Sequence, residues 1–437
     1  MINIAIVGSG PSGCYIADLL SKKVAGSQVD IYDRLPTPFG LVRAGVAPDH
    51  QGTKNIIRQF ERTFSRDNVS FVGNVNIGSD ISYQELKDSY DVVAITIGAL
   101  TDRNLGIPGE DLQGVYGSGE FVAWYNGHPD QSELNPDLNS QGIAIIGNGN
   151  VALDIARLLA KTAAEMGSSD ITSEAANAID SAPITDIYMI GRRSPVEASF
   201  TNAELSEFAD LERCAALVDP AHLVTSLPDT LDPKDVKAIE KNLETLRGYA
   251  ENSGQDKPVR LHLMFCASPT AVIEADGKVA GLTLEKNTII DGRAQASGEF
   301  FELPVQTIIS AIGYRSEPIE GMPFDTTRGI VSNNEGLVEQ GVYTSGWCKR
   351  GPQGVIPANR ADSMAVGKQI IANLEANPPA GNKAGSAAID ELLTARNVQT
   401  VSFDQWQVIN QAEISRAPEG KPREKFNRID EMLAQLN

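Results

Sequence analysis

Cysteine is scarce: the 437 residues hold four, at Cys14, Cys214, Cys266 and Cys348. No two stand in a CxxC or CxxxxC spacing, which argues against a redox disulfide, an iron–sulfur cluster or a thiolate zinc site, and fits a reducing cytoplasm. They read as small packing residues. Long apolar runs are missing as well. No stretch approaches the roughly 20 uninterrupted apolar residues of a membrane-spanning helix. The chain enters a strand at its first residues with no basic, cleavable leader, so no secretory signal is expected. Cationic side chains are outnumbered, 37 Lys plus Arg against 57 Asp plus Glu, for a net charge of −20. That balance disfavours nucleic acid as a partner, because phosphate neutralisation drives such binding. It also obliges any acidic partner to find a local basic patch, since the overall field repels it.

What is present is glycine in two similar settings. Gly8-Ser9-Gly10-Pro11-Ser12-Gly13 follows the apolar run Ile2 to Val7, and Gly147-Asn148-Gly149-Asn150-Val151-Ala152 follows Gly142 to Ile146. A dinucleotide pyrophosphate needs a backbone that can approach closely, free N–H groups and the positive end of a helix dipole. Strand, GxGxxG/A and helix together supply all three. One such turn is a weak signal; two, each framed by strand and helix, point to two dinucleotides in one chain.

The spacing predicts a helix from about Pro11 to Lys23 and a strand from Gln28 to Tyr32 that ends at Asp33, 20 residues after Gly13. An acid there is placed to accept hydrogen bonds from ribose hydroxyls; the competing reading is a turn residue before Arg34. Two further runs, Tyr90 to Ala99 and Thr307 to Tyr314, read as buried strands ending in small-residue turns. They suggest crossings at which the chain leaves one nucleotide domain and later returns. The fold class expected is α/β with two Rossmann-like dinucleotide-binding domains. The second dinucleotide-binding domain, 103–313, is inserted in the first, which is formed by 1–102 and 314–437. Ser168 to Pro183 reads as a helical or loop excursion, and Pro378-Pro379-Ala380-Gly381 marks a break before a C-terminal extension.

Polarity separates the two halves. The strand after the second glycine turn, Asp186 to Gly191, ends at Arg192 and Arg193 where the first half has an acid. Guanidinium groups make charge-assisted contacts with a 2′-phosphate, so the difference predicts FAD in the first site and NADP(H) in the second. An ordinary exposed basic pair is the blander account. Beyond it, Thr201 and Glu204 fit a capping box that opens a helix, while Glu207 lies one turn on, either functional or merely solvated. The loop Thr37 to His50, stiffened by two prolines and two glycines, ends in one of only four histidines. A His–carboxylate pair there could orient a nicotinamide or shuttle a proton. A last cluster, Gly346-Trp347 to Asn359, precedes a helix from about Arg360; its glycines allow close approach to a flat ring.

These stretches together resemble the adrenodoxin reductase family, ferredoxin–NADP⁺ reductases with a glutathione-reductase-like fold. The matching segments are GSGPSG (8–13), PTPFGLVRAGVAPDH (36–50), IPGEDLQGVY and FVAWYNGHPD (within 107–130), GNGNVALDIAR (147–157), GRRSPVEASFTNAEL (191–205) and GWCKRGPQGVIPAN (346–359). They follow the family's order over most of the chain. The resemblance implies FAD contacts at Gly8, Gly10, Ser12, Gly13, Asp33, Leu41 and Val75, with Trp347 and Gly354, Val355 and Ile356 closing over the flavin. It implies NADP(H) contacts at Asn148, Gly149, Asn150, Val151, Arg192, Arg193 and Glu204, with Gly354 reaching the nicotinamide end. The family's catalytic histidine and partner carboxylate fall on His50 and Glu207. Asp33 departs from the family's more usual Glu, and Asn148 from its usual Gln. The activity implied is NADPH:ferredoxin oxidoreductase: hydride transfer between NADP(H) and FAD, and single-electron transfer to a separate iron–sulfur protein, a conversion suited to flavin.

Ferredoxins are commonly acidic. Lys234, Lys237 and Lys241 share one face of a helical segment, and Arg58 with Arg62 forms a second i, i+4 pair. Either could dock such a partner, although Glu240 and Glu244 interleave the lysines and charge runs are usually solvated faces. Other readings are a disulfide reductase (disfavoured by the missing cysteine pair), a flavin monooxygenase, a reductase or electron-input subunit with another acceptor, and an NADPH-binding sensor.

Overall fold

Each glycine turn joins the carboxyl end of a buried strand to a helix. A computed structural model describes residues 1–228, 231–354 and 356–436, and in it the chain divides into two compact units. The first comprises Met1–Thr101, Asn126–Ser132 and Tyr314–Asn437; the second comprises Asp102–Tyr125 and Glu133–Gly313.

The first unit is built on six strands in the order Leu337–Glu339, Val342–Thr344, Val92–Ile95, Ile2–Val7, Ser27–Tyr32 and Val69–Val72. All neighbours are parallel except the first pair. Ile4, Ala5 and Ile6 are fully buried although consecutive, because helices cover both faces of a parallel sheet and remove the need for polar alternation. The chain runs from Ile2–Val7 to one neighbour through the helix Pro11–Lys23 and reaches the other neighbour, Val92–Ile95, only later. The order of strands therefore reverses beside Ile2–Val7, the place where such sheets bind ligands. Proline at the first helical position fits the helix start at Pro11. The C-terminal helix of the core spans Ile356–Ala376, opening earlier than the predicted Arg360, and it packs on Pro11–Lys23 so tightly that a Cβ at Gly367 would meet Leu19 at 2.6 Å.

The second unit repeats the plan. Its six parallel strands run Val115–Gly117, Thr307–Ser310, Gly142–Ile146, Asp186–Ile190, Val259–Met264 and Cys214–Val218. Thr307–Ser310 flanks its dinucleotide strand as Val92–Ile95 flanks the first. An antiparallel sheet of Ala267–Ala275, Lys278–Ile290 and Arg293–Leu303 adds to this unit and buries Val272, Val279, Leu282 and Leu284 with Ala144 and Ile146. The stretch 168–183 contains the helix Ser173–Asp180. Among the described residues no helix is long and apolar enough to cross a membrane.

The C-terminal extension folds back on the 36–50 loop of its own unit. Its helix Phe403–Ser415 opens with a capping box between Ser402 and Gln405. Trp406 sets its ring edge-on to Phe39 at 6.4 Å and receives the Arg43 guanidinium over its face at 5.1 Å. Arg43 then makes a two-pronged ion pair with Glu413, which is wholly buried and also accepts the Phe426 N–H at 3.0 Å. A buried carboxylate held by a guanidinium fork leaves an uncompensated charge if either member is removed. Glu413→Ala should therefore destabilise the first unit by about 3–5 kcal/mol in chemical denaturation; an unchanged midpoint would contradict this clamp.

His128 gives a pH signature. It is buried, and its Nδ1 accepts the Asp130 N–H at 3.2 Å. Burial, aided by Arg34 and Arg43 and opposed by Asp130, pushes its pKa down to about 4. The unfolded chain takes up that proton near pH ~6.5, so the neutral imidazole's stabilisation is complete above that pH and is lost as pH falls toward about 4. The loss amounts to about 3 kcal/mol at most. His128→Gln should flatten stability across this window, measured by denaturation at a series of pH values; a variant with the wild-type slope would refute the assignment.

Candidate functional site

In the first unit the turn after Ile2–Val7 is shaped by contact with the neighbouring strand. Gly8 has φ +102, and a Cβ there would lie 2.6 Å from the Thr96 carbonyl oxygen. Gly13 presses equally close, its missing Cβ 2.0 Å from the Gly8 oxygen. Gly10 begins the helix without a side-chain cap and Ser12 is buried in the first turn, so helix N–H groups face the crevice, a natural site for pyrophosphate. Asp33, just past Ser27–Tyr32, turns its carboxylate back on this loop. It accepts the Ser9 N–H at 2.9 Å, the Ser9 hydroxyl, and the Leu35 N–H at 3.0 Å. A carboxylate has about four acceptor positions, so capacity for a ribose hydroxyl remains. Val75 is buried beside it and donates its N–H to the Asp33 carbonyl at 2.9 Å.

The 36–50 loop is bolted to the same turn. The Phe39 N–H donates to the Ser9 carbonyl and hydroxyl, each at 3.2 Å. Leu41 opens the short helix Leu41–Ala44. His50 ends the loop as N-cap of Gln51–Lys54, its carbonyl accepting the Thr53 and Lys54 N–H groups at 3.1 and 3.2 Å.

On the other side, Gly346 meets Ser12 so closely that a Cβ would fall 2.2 Å from its hydroxyl. Asp362 accepts the Gly346 N–H at 2.7 Å and the Ser345 hydroxyl at 2.8 Å, and pairs with Lys349 at 2.7 Å. Burial alone would raise its pKa, but these donors hold it below the ordinary carboxylate value. Trp347 stacks on Tyr314 at 6.2 Å, and its Nε1 is buried with no partner among the described residues. Buried indole N–H groups nearly always find an acceptor, so this one fits a bound group that supplies it. Gly354 lies in the following turn at φ +78 and Ile356 opens the next helix. Val355 lies outside the described residues.

In the second unit the same close approach recurs, a Cβ at Gly147 falling 2.3 Å from the Ala311 oxygen. Gly149 is the N-cap of the helix Asn150–Ala160, again without a side-chain cap. The Asn148 carbonyl accepts the Ser199 N–H and hydroxyl, each at 2.9 Å, while its buried Oδ1 has no partner among the described residues. Asn150 ties the turn to Thr201 by accepting that residue's N–H at 2.8 Å, and Val151 packs against the unit's core. Arg192 and Arg193 follow Asp186–Ile190, one exposed and one half-buried. Their carbonyls are engaged, by Asn287 Nδ2 and the Cys266 N–H respectively. Among the described residues neither guanidinium has an ion-pair partner. Two uncommitted guanidiniums suit an anionic dinucleotide, and the buried Asn148 oxygen is open to a donor such as a sugar hydroxyl.

One expectation is corrected here. Thr201 is the N-cap of Asn202–Ser206, but its side chain makes no capping bond. Glu204 does not close a capping box; it turns to Arg157, whose Nη1 lies 3.1 Å from its carboxylate. Arg157, fully buried, also pairs with Glu207 through Nε at 3.2 Å and with Asp154 at 2.8 Å. Its charge outcompetes a backbone N–H for the carboxylate. Arg157 was not singled out from the sequence, although an Asp154–Arg157 i, i+3 pair in a largely apolar helix was a signal. Within each unit the candidate residues gather at the carboxyl ends of the strands; His50 belongs to the first unit and Glu207 to the second.

The basic face of the helix Pro233–Ala250 is partly neutralised. Lys234 pairs with its own N-cap, Asp232, at 2.7 Å. Lys237 and Lys241 line a groove together with Arg247, Glu240 and Glu244.

Comparisons with known proteins agree with this arrangement. Residues 6–62 match a family model described as an NAD(P)-binding Rossmann-like domain. The chain is 41% identical to the mitochondrial NADPH:adrenodoxin oxidoreductase of Arabidopsis thaliana over 99% of its own length and 95% of that protein. It is 38% identical to the NADPH-ferredoxin reductase FprA of Mycobacterium tuberculosis, covering 98% of each. The solved structure of that FprA in complex with NADPH superposes with a TM-score of 0.93 at 36% identity, over the whole of both chains.

Arg157→Met should remove the cation that Asp154, Glu204 and Glu207 share and cost about 3–5 kcal/mol in the second unit. Arg157→Lys, with the charge but not the fork, should recover only part of it. Equal stability of wild type and the methionine variant in urea titration would show that the cluster is inert.

Proposed function

The chain belongs to the adrenodoxin reductase family of NADPH–ferredoxin oxidoreductases, and from that membership we propose how its own residues divide the work. The protein is an FAD- and NADPH-dependent enzyme that reduces a ferredoxin-type iron–sulfur protein. Bound FAD supplies what no side chain can, taking two electrons as a hydride and releasing them singly.

Residues 1–102 and 314–437 hold FAD, and residues 103–313 hold NADP(H). Gly8, Gly10, Ser12 and Gly13 present backbone to the flavin nucleotide's pyrophosphate, and Asp33 accepts from its ribose. Leu41, Val75, Trp347, Gly354 and Ile356 enclose the rest, with Val355 assigned on the motif alone. The unpartnered Trp347 Nε1 supports this cradle. Asn148, Gly149, Asn150 and Val151 meet the pyrophosphate of NADP(H), Arg192 and Arg193 its 2′-phosphate, and Glu204 the adjoining sugar. His50 and Glu207 are the catalytic residues. The His50 imidazole can hold or pass a proton at a ring nitrogen, and the Glu207 carboxylate is fixed by Arg157. A single observation carries the NADP assignment: paired guanidiniums stand at the end of the second unit's strand where the first unit has a carboxylate. Lys234, Lys237 and Lys241 are one of two cationic faces on offer to the acidic partner, Arg58 with Arg62 the other. Four thiols without a disulfide suit the cytoplasm.

The test is a stoichiometry. Under anaerobic conditions one equivalent of NADPH should bleach the flavin, and an acidic [2Fe–2S] ferredoxin added afterwards should be reduced at two molecules per NADPH. Bleaching without ferredoxin reduction would favour a different acceptor. His50→Gln should slow flavin reduction roughly ten- to a hundredfold while FAD content is unchanged; a wild-type rate would remove His50 from the chemistry.

A further inference from the structure

Ferredoxin recognition requires positive potential on a chain whose net charge is −20, and cationic side chains line a groove in each unit. The groove of the second unit sets Lys237, Lys241 and Arg247 against Glu240 and Glu244. In the first unit a groove of about 640 Å³ is lined by Arg58, Arg62 and Arg360, with Tyr15, Ile56 and Ile356 among its apolar walls. Among the described residues no carboxylate lines it. All three arginines are exposed, and among the described residues none makes an ion pair.

Local structure explains the convergence. Arg58 and Arg62 stand four apart on the helix Ile57–Phe64, so they share a face. The opposite face buries Phe60 and Phe64 in the core beneath the 36–50 loop. Arg360 comes from the first turns of Ile356–Ala376, the helix that begins at the turn assigned to the flavin. Ile356 thus belongs both to the groove's wall and to the proposed flavin enclosure. Charge, apolar contact and nearness to the electron donor coincide there, as a transient electron-transfer contact requires: electrostatics steers the encounter while a small apolar centre sets the docked pose.

We propose that the Arg58–Arg62–Arg360 groove is the surface on which an acidic iron–sulfur protein docks to receive electrons. The proposal rests on the ferredoxin-reductase reading above. Each docking event reduces one partner cluster by one electron. Two oxidised partners are consumed per NADPH, which leaves as NADP⁺ with release of one proton. The lysine face of Pro233–Ala250, interleaved with glutamates, then contributes less to affinity.

The experiment compares the holoenzyme with R58E/R62E, the milder R58Q/R62Q, and K237E/K241E, using an acidic plant-type [2Fe–2S] ferredoxin as probe. Affinity is measured by calorimetry at low and high salt, and the rate of flavin reduction by NADPH serves as a check of folding and cofactor content. R58E/R62E should weaken binding at low salt by about tenfold or more and flatten the salt dependence. R58Q/R62Q should fall between it and wild type, K237E/K241E should shift binding less, and flavin reduction should be unchanged throughout. Unaltered affinity in R58E/R62E, with wild type still reducing ferredoxin, overturns the groove alone. A larger loss in K237E/K241E than in R58E/R62E also overturns it. Failure of the wild type to bind or reduce the probe while NADPH still bleaches its flavin overturns the underlying reading as well.

Discussion

Both units depend on one close approach: a glycine at the end of the central strand lies against a carbonyl of the strand beside it. At Gly8 that carbonyl is Thr96's and at Gly147 it is Ala311's, and at either place a Cβ would fall well inside van der Waals contact. The constraint lets the chain turn at once into a helix whose uncapped N-terminus opens on the crevice where strand order reverses. Geometry of this kind fixes the class of ligand, a dinucleotide, without fixing which one. The residue at the end of the next strand adds that distinction. Asp33 offers acceptors, Arg192 and Arg193 offer donors with full charge, and the two pockets are chemically opposite on similar frames.

The supporting interactions share a theme, buried charge used to hold a functional segment in place. Glu413 and Arg43 fasten the C-terminal extension to the loop that ends at His50, with Trp406 covering the guanidinium. Arg157 gathers Asp154, Glu204 and Glu207 around itself. Such pairs cost desolvation to form and are strongly destabilising to break, so they favour one arrangement over many rather than adding much net stability.

Much of the fold was legible because the decisive signals are local. Strand, glycine turn and helix lie within about 20 residues of sequence, and the helix Pro11–Lys23 and the strand Asp186–Ile190 follow from periodicity and turn chemistry alone. The antiparallel sheet Ala267–Leu303 was not foreseen. Its strands are long and half-exposed, with register shifts at Pro269/Ala271 and Glu285/Asn287, so no clean alternation marks them. Glu204 shows the other kind of failure. Its spacing from Thr201 satisfied a capping rule, yet Arg157, 47 positions away, held the carboxylate by a stronger charge-assisted bond. Local rules lose where a distant full charge competes for the same atom. The role of the C-terminal extension was equally hidden, since Arg43 and Glu413 are 370 residues apart.

The central claim is that the uncommitted guanidiniums of Arg192 and Arg193 read a 2′-phosphate. Calorimetric titration of the wild-type protein with adenosine 2′,5′-bisphosphate and with adenosine 5′-monophosphate tests it without turnover, flavin or partner. Charge-assisted contacts of this kind contribute about 1.5–3 kcal/mol each, so the bisphosphate should bind at least tenfold more tightly, with the advantage shrinking as salt rises. Equal affinity of the two nucleotides would contradict it.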